Sequence, residues 1–189
     1  MRRDWIGRVV LWGLLGGVAL AGCSETRRPD GSVGLLPVGS VAPDVVGEDA
    51  AGKAVKLSEQ KGKIAVVYFY PKDGTPGCTK QACAYRDAFA KLEKAGVVVF
   101  GVSRDSAESH REFRKEHNLP FPLVSDESGD IGTAYGVPTK YLIMSARVTF
   151  LIDPQGKVAK AWPDVDPAVD AERVLEAANA MLPGGGQAG

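Results

Sequence analysis

Apolar residues cluster along this chain in two distinct rhythms. Residues 64–70 (Ile-Ala-Val-Val-Tyr-Phe-Tyr) and 97–102 (Val-Val-Val-Phe-Gly-Val) are unbroken apolar runs, the pattern of strands covered on both faces. Between them Cys78, Ala82, Tyr85, Phe89 and Leu92 recur at helical spacing. Thr75 before Pro76 reads as a cap followed by the first helical position, so a helix is predicted from Pro76 to about Lys94. Asp44-Val45-Val46 and Ala54-Val55-Lys56-Leu57 flank a turn and predict a small hairpin. A second helix follows 97–102, capped by Asp105 or Ser106 and reaching about His117. Residues 121–124 read as a short extended segment and 129–135 as one or two helical turns. Residues 148–152 and 157–162, around Asp153-Pro154-Gln155-Gly156, predict a hairpin. Asp166 then reads as a cap, Pro167 as the first helical residue, and the last helix as running to Leu182. The sum is an α/β domain: a mixed central sheet, helices on both faces and an N-terminal β-hairpin.

Composition places that domain among folded proteins: of 189 residues, 44% are hydrophobic and 24% charged. The 23 acidic and 23 basic residues cancel, and no basic block marks a nucleic-acid partner. The N-terminus differs in kind. A basic leader, Met1 to Arg8, precedes a charge-free apolar run over 9–22, short for a membrane span but the length of a signal-peptide core. It ends Leu20-Ala21-Gly22-Cys23, which resembles a bacterial lipobox, with Cys23 as the lipidated residue. An uncleaved anchor helix over 5–22, with Arg8 snorkelling, is the other reading. Both put the body outside the cytoplasmic membrane. Residues 1–22 are therefore expected to be a lipoprotein signal peptide, 23–37 (polar, rich in Arg, Gly and Pro) a flexible tether, 38–183 the folded domain and 184–189 a disordered tail.

If Cys23 carries lipid, two thiols remain, Cys78 and Cys83. Cys78 falls in the first turn of the predicted helix, where free N–H groups and the helix dipole favour a thiolate. Taken alone, a cysteine is as often a small buried hydrophobe. The partner Cys83, off the apolar stripe, shifts the reading to redox chemistry. Residues five apart in a helix have Cα atoms about 8.5 Å apart, beyond the roughly 4.4–6.8 Å of a disulfide. The two can bond only if the first turns unwind, so the pair is a switch and not a staple.

The run Pro71-x-x-x-Thr75-x-x-Cys78 resembles the peroxiredoxin active-site motif. Residues 68–79 with Cys83 downstream resemble the peroxiredoxin Q, or bacterioferritin co-migratory protein, subfamily. The likeness continues through 101–106, 120–123 with Ser125-Asp126, and 147–153, and covers about 38–182. It implies a thioredoxin-like fold and a thiol-dependent peroxidase acting on hydrogen peroxide and small organic hydroperoxides. Cys78 would be the peroxidatic cysteine, Cys83 the resolving one, and Pro71, Thr75 and Arg147 the supporting site, with a thioredoxin-like dithiol as reductant. The leader departs from the usual cytosolic form of the subfamily. In the attack of sulfur on a peroxide, charge spreads over the sulfur and both oxygens. Helix-start N–H groups, the Thr75 hydroxyl and the Arg147 guanidinium would stabilise it, and Pro71 would hold the loop and shield the sulfur. Sulfenic acid would form on Cys78, Cys83 would condense with it, and the dithiol would restore both.

The other candidates read as ordinary residues. His110 and His117 lie two helical turns apart, about 10.5 Å, too far for one metal ion. They are expected at the surface or its boundary, with Arg111, Glu112, Arg114, Lys115 and Glu116 as a solvated face, and Trp162 as a packing residue of the hairpin. No metal or cofactor is expected. Competing functions are a thioredoxin-like thiol–disulfide oxidoreductase, whose Cys-x-x-Cys this spacing does not match, a copper-handling module, and a non-catalytic lipoprotein. The two-thiol scheme needs no second subunit, so a monomer is expected.

Overall fold

The computed structural model describes residues 26–49, 51–141 and 143–182. The expected signal peptide, Cys23 and the expected tail 184–189 lie outside them. The elements in chain order are β1 (Val46–Glu48), β2 (Ala54–Lys56), a 3-10 turn (Leu57–Gln60), β3 (Ile64–Phe69), α1 (Pro76–Lys94), β4 (Val97–Ser103), α2 (Ala107–His117) and β5 (Leu123–Ser125). Then come α3 (Asp130–Ala134), β6 (Thr139–Lys140), β7 (Met144–Ser145), β8 (Val148–Ile152), β9 (Val158–Trp162) and α4 (Asp170–Asn179). A seven-stranded sheet runs in the order β2-β1-β5-β4-β3-β8-β9. β3, β4 and β5 are parallel neighbours, whereas β8 and β9 join antiparallel and β1–β2 closes the other edge as a hairpin.

The continuous apolar runs are explained by burial on both faces. Alternate residues of β3 point to opposite sides. Ile64, Val66 and Tyr68 join Cys78, Ala82, Tyr85 and Leu92 of α1, Phe113 of α2 and Val174 and Ala178 of α4. Ala65, Val67 and Phe69 join Phe100, Phe150, Tyr135 and Val137, with Ile131 of α3, Leu35 and Leu36 against them. Gly101, inside β4, gives room for a ring: a Cβ there would sit 2.6 Å from the Tyr68 hydroxyl oxygen. The helical stripe of α1 is met at every position.

Several expectations change. Within the expected tether, residues 26–37 are held on the domain. The Thr26 hydroxyl donates to Val137 O at 3.0 Å, the buried Arg28 guanidinium to Gly34 O and Leu35 O at 2.7 and 2.8 Å, and Leu36 N–H to Tyr135 O at 2.9 Å. The composition looked like a linker because the segment is held by carbonyl groups, which no residue pattern displays. The last helix starts at Asp170, not Pro167: the Asp166 carboxylate accepts from Ala168 N–H at 2.8 Å and closes a turn instead of capping. It ends at Asn179, and turns carry the chain to Leu182. Ser106, not Asp105, caps α2. Arg114 leaves the expected solvated face and is buried, donating to Glu48 O. The β6–β7 ribbon had no counterpart in the sequence reading. Trp162 lies beneath Arg173, whose guanidinium carbon is 4.9 Å from the ring centre.

Candidate active site

The site forms where β3 ends and α1 begins. Pro71 ends the strand path, and Gly74, at φ +69°, supplies the left-handed turn that lets the chain reverse into the helix. Asp73 pins this loop. Its N–H donates to Asp105 Oδ2 at 2.9 Å, and its carboxylate accepts from Tyr70 OH at 2.7 Å, Ser109 Oγ at 2.8 Å and His110 Nδ1 at 2.8 Å. His110 Nε2 donates to Val124 O at 3.1 Å, so both ring nitrogens face acceptors. Burial works against ionisation of Asp73, but the bonds from His110, Tyr70 and Ser109 outweigh it and hold the carboxyl below its ordinary value. His110 is only 3% exposed, which corrects its expected surface position. The tie links residues 37 apart in sequence, and helix periodicity carries no sign of it.

Thr75 is the N-cap residue of α1 and Pro76 its first helical residue, as the sequence indicates. The Thr75 side chain makes no cap bond; its hydroxyl donates to Lys72 O at 3.0 Å. The first ladder bond runs from Thr79 N–H to Thr75 O at 2.8 Å, so the N–H groups of Gly77 and Cys78 lie ahead of the ladder at the positive end of the helix. Cys78 is 1% exposed and a free thiol. Arg147, in the loop leading to β8, donates from Nη2 to Cys78 Sγ at 3.3 Å and from Nη1 to Gln81 Oε1 at 2.5 Å. Gly77 leaves room for that guanidinium: a Cβ there would be 3.3 Å from Arg147 Nη2.

The structure thus sets Arg147 against Cys78, with Thr75 at the cap of the same helix and Pro71 in the loop that precedes it. Cys83, also a free thiol, is half-buried further along α1, beside Arg86. Sequence reasoning missed Gln81, whose position three residues after Cys78 on the same helix could have flagged it. It also missed the loop tie through Asp73. Among the described residues, no three or more His, Cys, Asp or Glu side chains gather as metal ligands. Chemically, the site can stabilise negative charge on a sulfur and on an atom arriving beside it.

A model of the AhpC/TSA family matches residues 38–161. The chloroplastic peroxiredoxin Q of Oryza sativa subsp. japonica is 48% identical over 136 residues, covering 71% of this chain. The chain spans 63% of that rice protein's length. Among solved structures, peroxidoxin BcpB from Mycobacterium tuberculosis superposes with a TM-score of 0.72 at 27% identity, covering 78% of this chain and 99% of the other. The bacterioferritin comigratory protein of Xanthomonas campestris, studied for alkyl peroxide reduction in trapped intermediate and ligand complexes, gives 0.66 at 36% identity, covering 72% and 90%. The mixed sheet with its flanking helices is the thioredoxin-like α/β fold of these structures. With the family model matched across the sheet and α1, and with these relatives, the chain belongs to the AhpC/TSA family, in its peroxiredoxin Q and bacterioferritin comigratory protein branch.

Proposed function

We propose that this protein is a thiol-dependent peroxidase that reduces hydrogen peroxide and small organic hydroperoxides through Cys78. The observation that carries the reading is the Arg147 guanidinium 3.3 Å from a sulfur set at a helix N-terminus. The Cys78 thiolate attacks one peroxide oxygen; the S–O bond forms as the O–O bond breaks, and the leaving oxygen departs as hydroxide or alkoxide and takes up a proton. Arg147 and the N–H groups of Gly77 and Cys78 are fixed before charge develops, so they favour the transition state over the ground state. Thr75 and Pro71 hold the loop from which that helix starts.

Cys78 is left as sulfenic acid. The Cys83 thiolate displaces its hydroxyl as water, giving a disulfide that a thioredoxin-like dithiol reduces by exchange. Arg147→Ala should slow the loss of the Cys78 thiol in one equivalent of hydrogen peroxide by about 10²–10³-fold, the cost of removing one charge-stabilising donor. An unchanged rate would remove the role. Cys83→Ser should leave a sulfenic acid that a dimedone-type reagent traps, with no disulfide and little turnover on a dithiol. Undiminished turnover would exclude Cys83 as resolver.

The chain's cellular setting belongs to the same proposal. Residues 1–22 act as a lipoprotein signal, Cys23 carries lipid, and the domain works as a monomer outside the cytoplasm, anchored to the periplasmic or extracytoplasmic face of a bacterial membrane. Support comes from the basic leader, the apolar run and Leu20-Ala21-Gly22-Cys23. Because Thr26 is already bonded to Val137, three peptide units separate Cys23 from the domain, at most about 11 Å. The catalytic domain would then work almost on the membrane surface. Mass spectrometry of the N-terminus tests this: an acylated Cys23 supports it, and an intact Met1 without lipid excludes it.

A further inference from the structure

Asp170 is wholly buried at the start of α4, in a helix that contributes no residue to the proposed chemistry. Its Oδ2 accepts from Gln81 Nε2 at 2.7 Å, Tyr85 OH at 2.7 Å and Thr149 Oγ1 at 2.8 Å, and its Oδ1 pairs with Arg173 Nη2 at 2.6 Å. Gln81, equally buried, spends its other end on Arg147. A polar chain therefore runs Arg173–Asp170–Gln81–Arg147–Cys78. We propose that Asp170 is a positioning residue: its carboxylate dictates the direction of the Gln81 amide and so holds the Arg147 guanidinium against Cys78 Sγ. The proposal rests on reading Cys78 and Arg147 as the reacting centre.

The reason is the polarity of the chain. Both terminal arginines can only donate, and a carboxylate can only accept. Gln81 must then turn its NH₂ to Asp170 and its carbonyl to Arg147; no other order satisfies every member. An asparagine at 170 has one accepting and one donating end. With its oxygen kept on Arg173, its NH₂ faces Gln81, which must turn its carbonyl to meet it. The Gln81 NH₂ then faces Arg147 Nη1, donor against donor, and Arg147 loses its anchor other than the sulfur itself. Gln81 and Asp170 are both wholly buried, so solvent does not reach the turned amide to relieve the mismatch.

Two further variants separate orientation from mere stability. In Asp170→Asn with Gln81→Glu, carboxylate and carboxamide exchange places: the carboxylate now at position 81 accepts from both Arg147 and the asparagine NH₂, and the asparagine oxygen still faces Arg173. The remaining proton of the asparagine NH₂ can be accepted by one of the Tyr85 and Thr149 hydroxyls, which lie within hydrogen-bond reach of each other. Tyr85→Phe, by contrast, removes a bond as short as that of Gln81 while leaving the carboxylate in place.

The experiment is single-turnover loss of the Cys78 thiol in hydrogen peroxide, on the full chain, with urea unfolding midpoints beside it. Asp170→Asn should react about 10–100-fold more slowly, the effect expected when a buried donor is left facing another donor at the group that holds Arg147. The double variant should recover to within about threefold of wild type, since polarity order and not residue identity is restored. Tyr85→Phe should lower the unfolding midpoint while its rate stays within about twofold. The proposal is overturned if Asp170→Asn reacts at the wild-type rate while Arg147→Ala is slow, or if the double variant stays as slow as the single one. Should Asp170→Asn not fold, the double variant decides: near wild-type reactivity supports the proposal, and the reactivity of Arg147→Ala overturns it. If Arg147→Ala itself reacts like wild type, the reading of the reacting centre falls and takes this proposal with it.

Discussion

Replacing Lys80 with alanine and, separately, with glycine isolates the cost of unwinding the first turns of α1. Lys80 is exposed and lies between the two cysteines, so neither variant disturbs the core. In the intact helix the Cα atoms of Cys78 and Cys83 are about 8.5 Å apart, and a disulfide requires roughly 4.4–6.8 Å. Residue 80 must therefore leave its helical conformation before the second sulfur can attack. Glycine in a helix interior is less stable than alanine by about 1 kcal/mol. If residue 80 is unwound when the disulfide forms, that whole difference appears in the rate, about fivefold at 1.36 kcal/mol per tenfold. Both variants have lost the same charge, so their ratio reports backbone alone. Ala90, exposed further along α1, supplies the control: Ala90→Gly weakens the helix comparably in a part that need not melt. The assay oxidises reduced protein with one equivalent of hydrogen peroxide, quenches at intervals in acid, and separates sulfenic acid from disulfide by mass. Lys80→Gly should form disulfide about fivefold faster than Lys80→Ala, with Ala90→Gly unchanged from wild type. A rate for Lys80→Gly less than about twofold above that for Lys80→Ala, or an equal acceleration in Ala90→Gly, would refute resolution by local unwinding.

Other outcomes follow from the same structure. Asp73→Asn should cost about 1–3 kcal/mol at neutral pH by weakening the three bonds on its carboxylate. Because the folded-state value of Asp73 is depressed, that contribution is present above the ordinary carboxyl value of 3.8 and is lost as pH falls below it. Urea unfolding of both proteins at pH 7, 5 and 3 should show the gap constant and then narrowing; a gap that widens as pH falls to 3 would contradict the assignment. Gly101→Ala forces a methyl against the Tyr68 hydroxyl at 2.6 Å and a Leu123 methyl at 2.8 Å. It should destabilise by about 1–3 kcal/mol in denaturant titration, and a neutral result would mean the strand can shift. In Gly136→Ala, the new Cβ would overlap Gly34 O, so residues 26–36 should lift from the domain. Trypsin should then cut after Arg27 about tenfold faster, equivalent to about 1.4 kcal/mol of lost docking; unchanged cutting would mean that segment is held elsewhere.

Taken alone, the sequence determined whatever depends on neighbours along the chain. Two unbroken apolar runs marked strands buried on both faces, because each face takes every second residue. A stripe from Cys78 to Leu92 marked α1 to within a residue at either end, since Thr75-Pro76 announces a helix start and Cys78 falls in its first turn. Arg147 was legible only through likeness to a family, not through its surroundings. The tertiary structure alone decided how polar groups pair across distance. His110 reads as a surface residue on its helix, yet it is buried because Asp73 and Val124 meet it from other elements. Residues 26–36 read as a linker, yet carbonyl groups from the domain and from within the segment hold them. Asp170 and Gln81 show nothing in sequence that joins them, 89 residues apart, although they set the order of donors and acceptors behind the sulfur. Apolar burial repeats with a period and leaves that period in the chain. A hydrogen bond between distant side chains needs only one donor and one acceptor to arrive together, and one pair leaves no pattern to read.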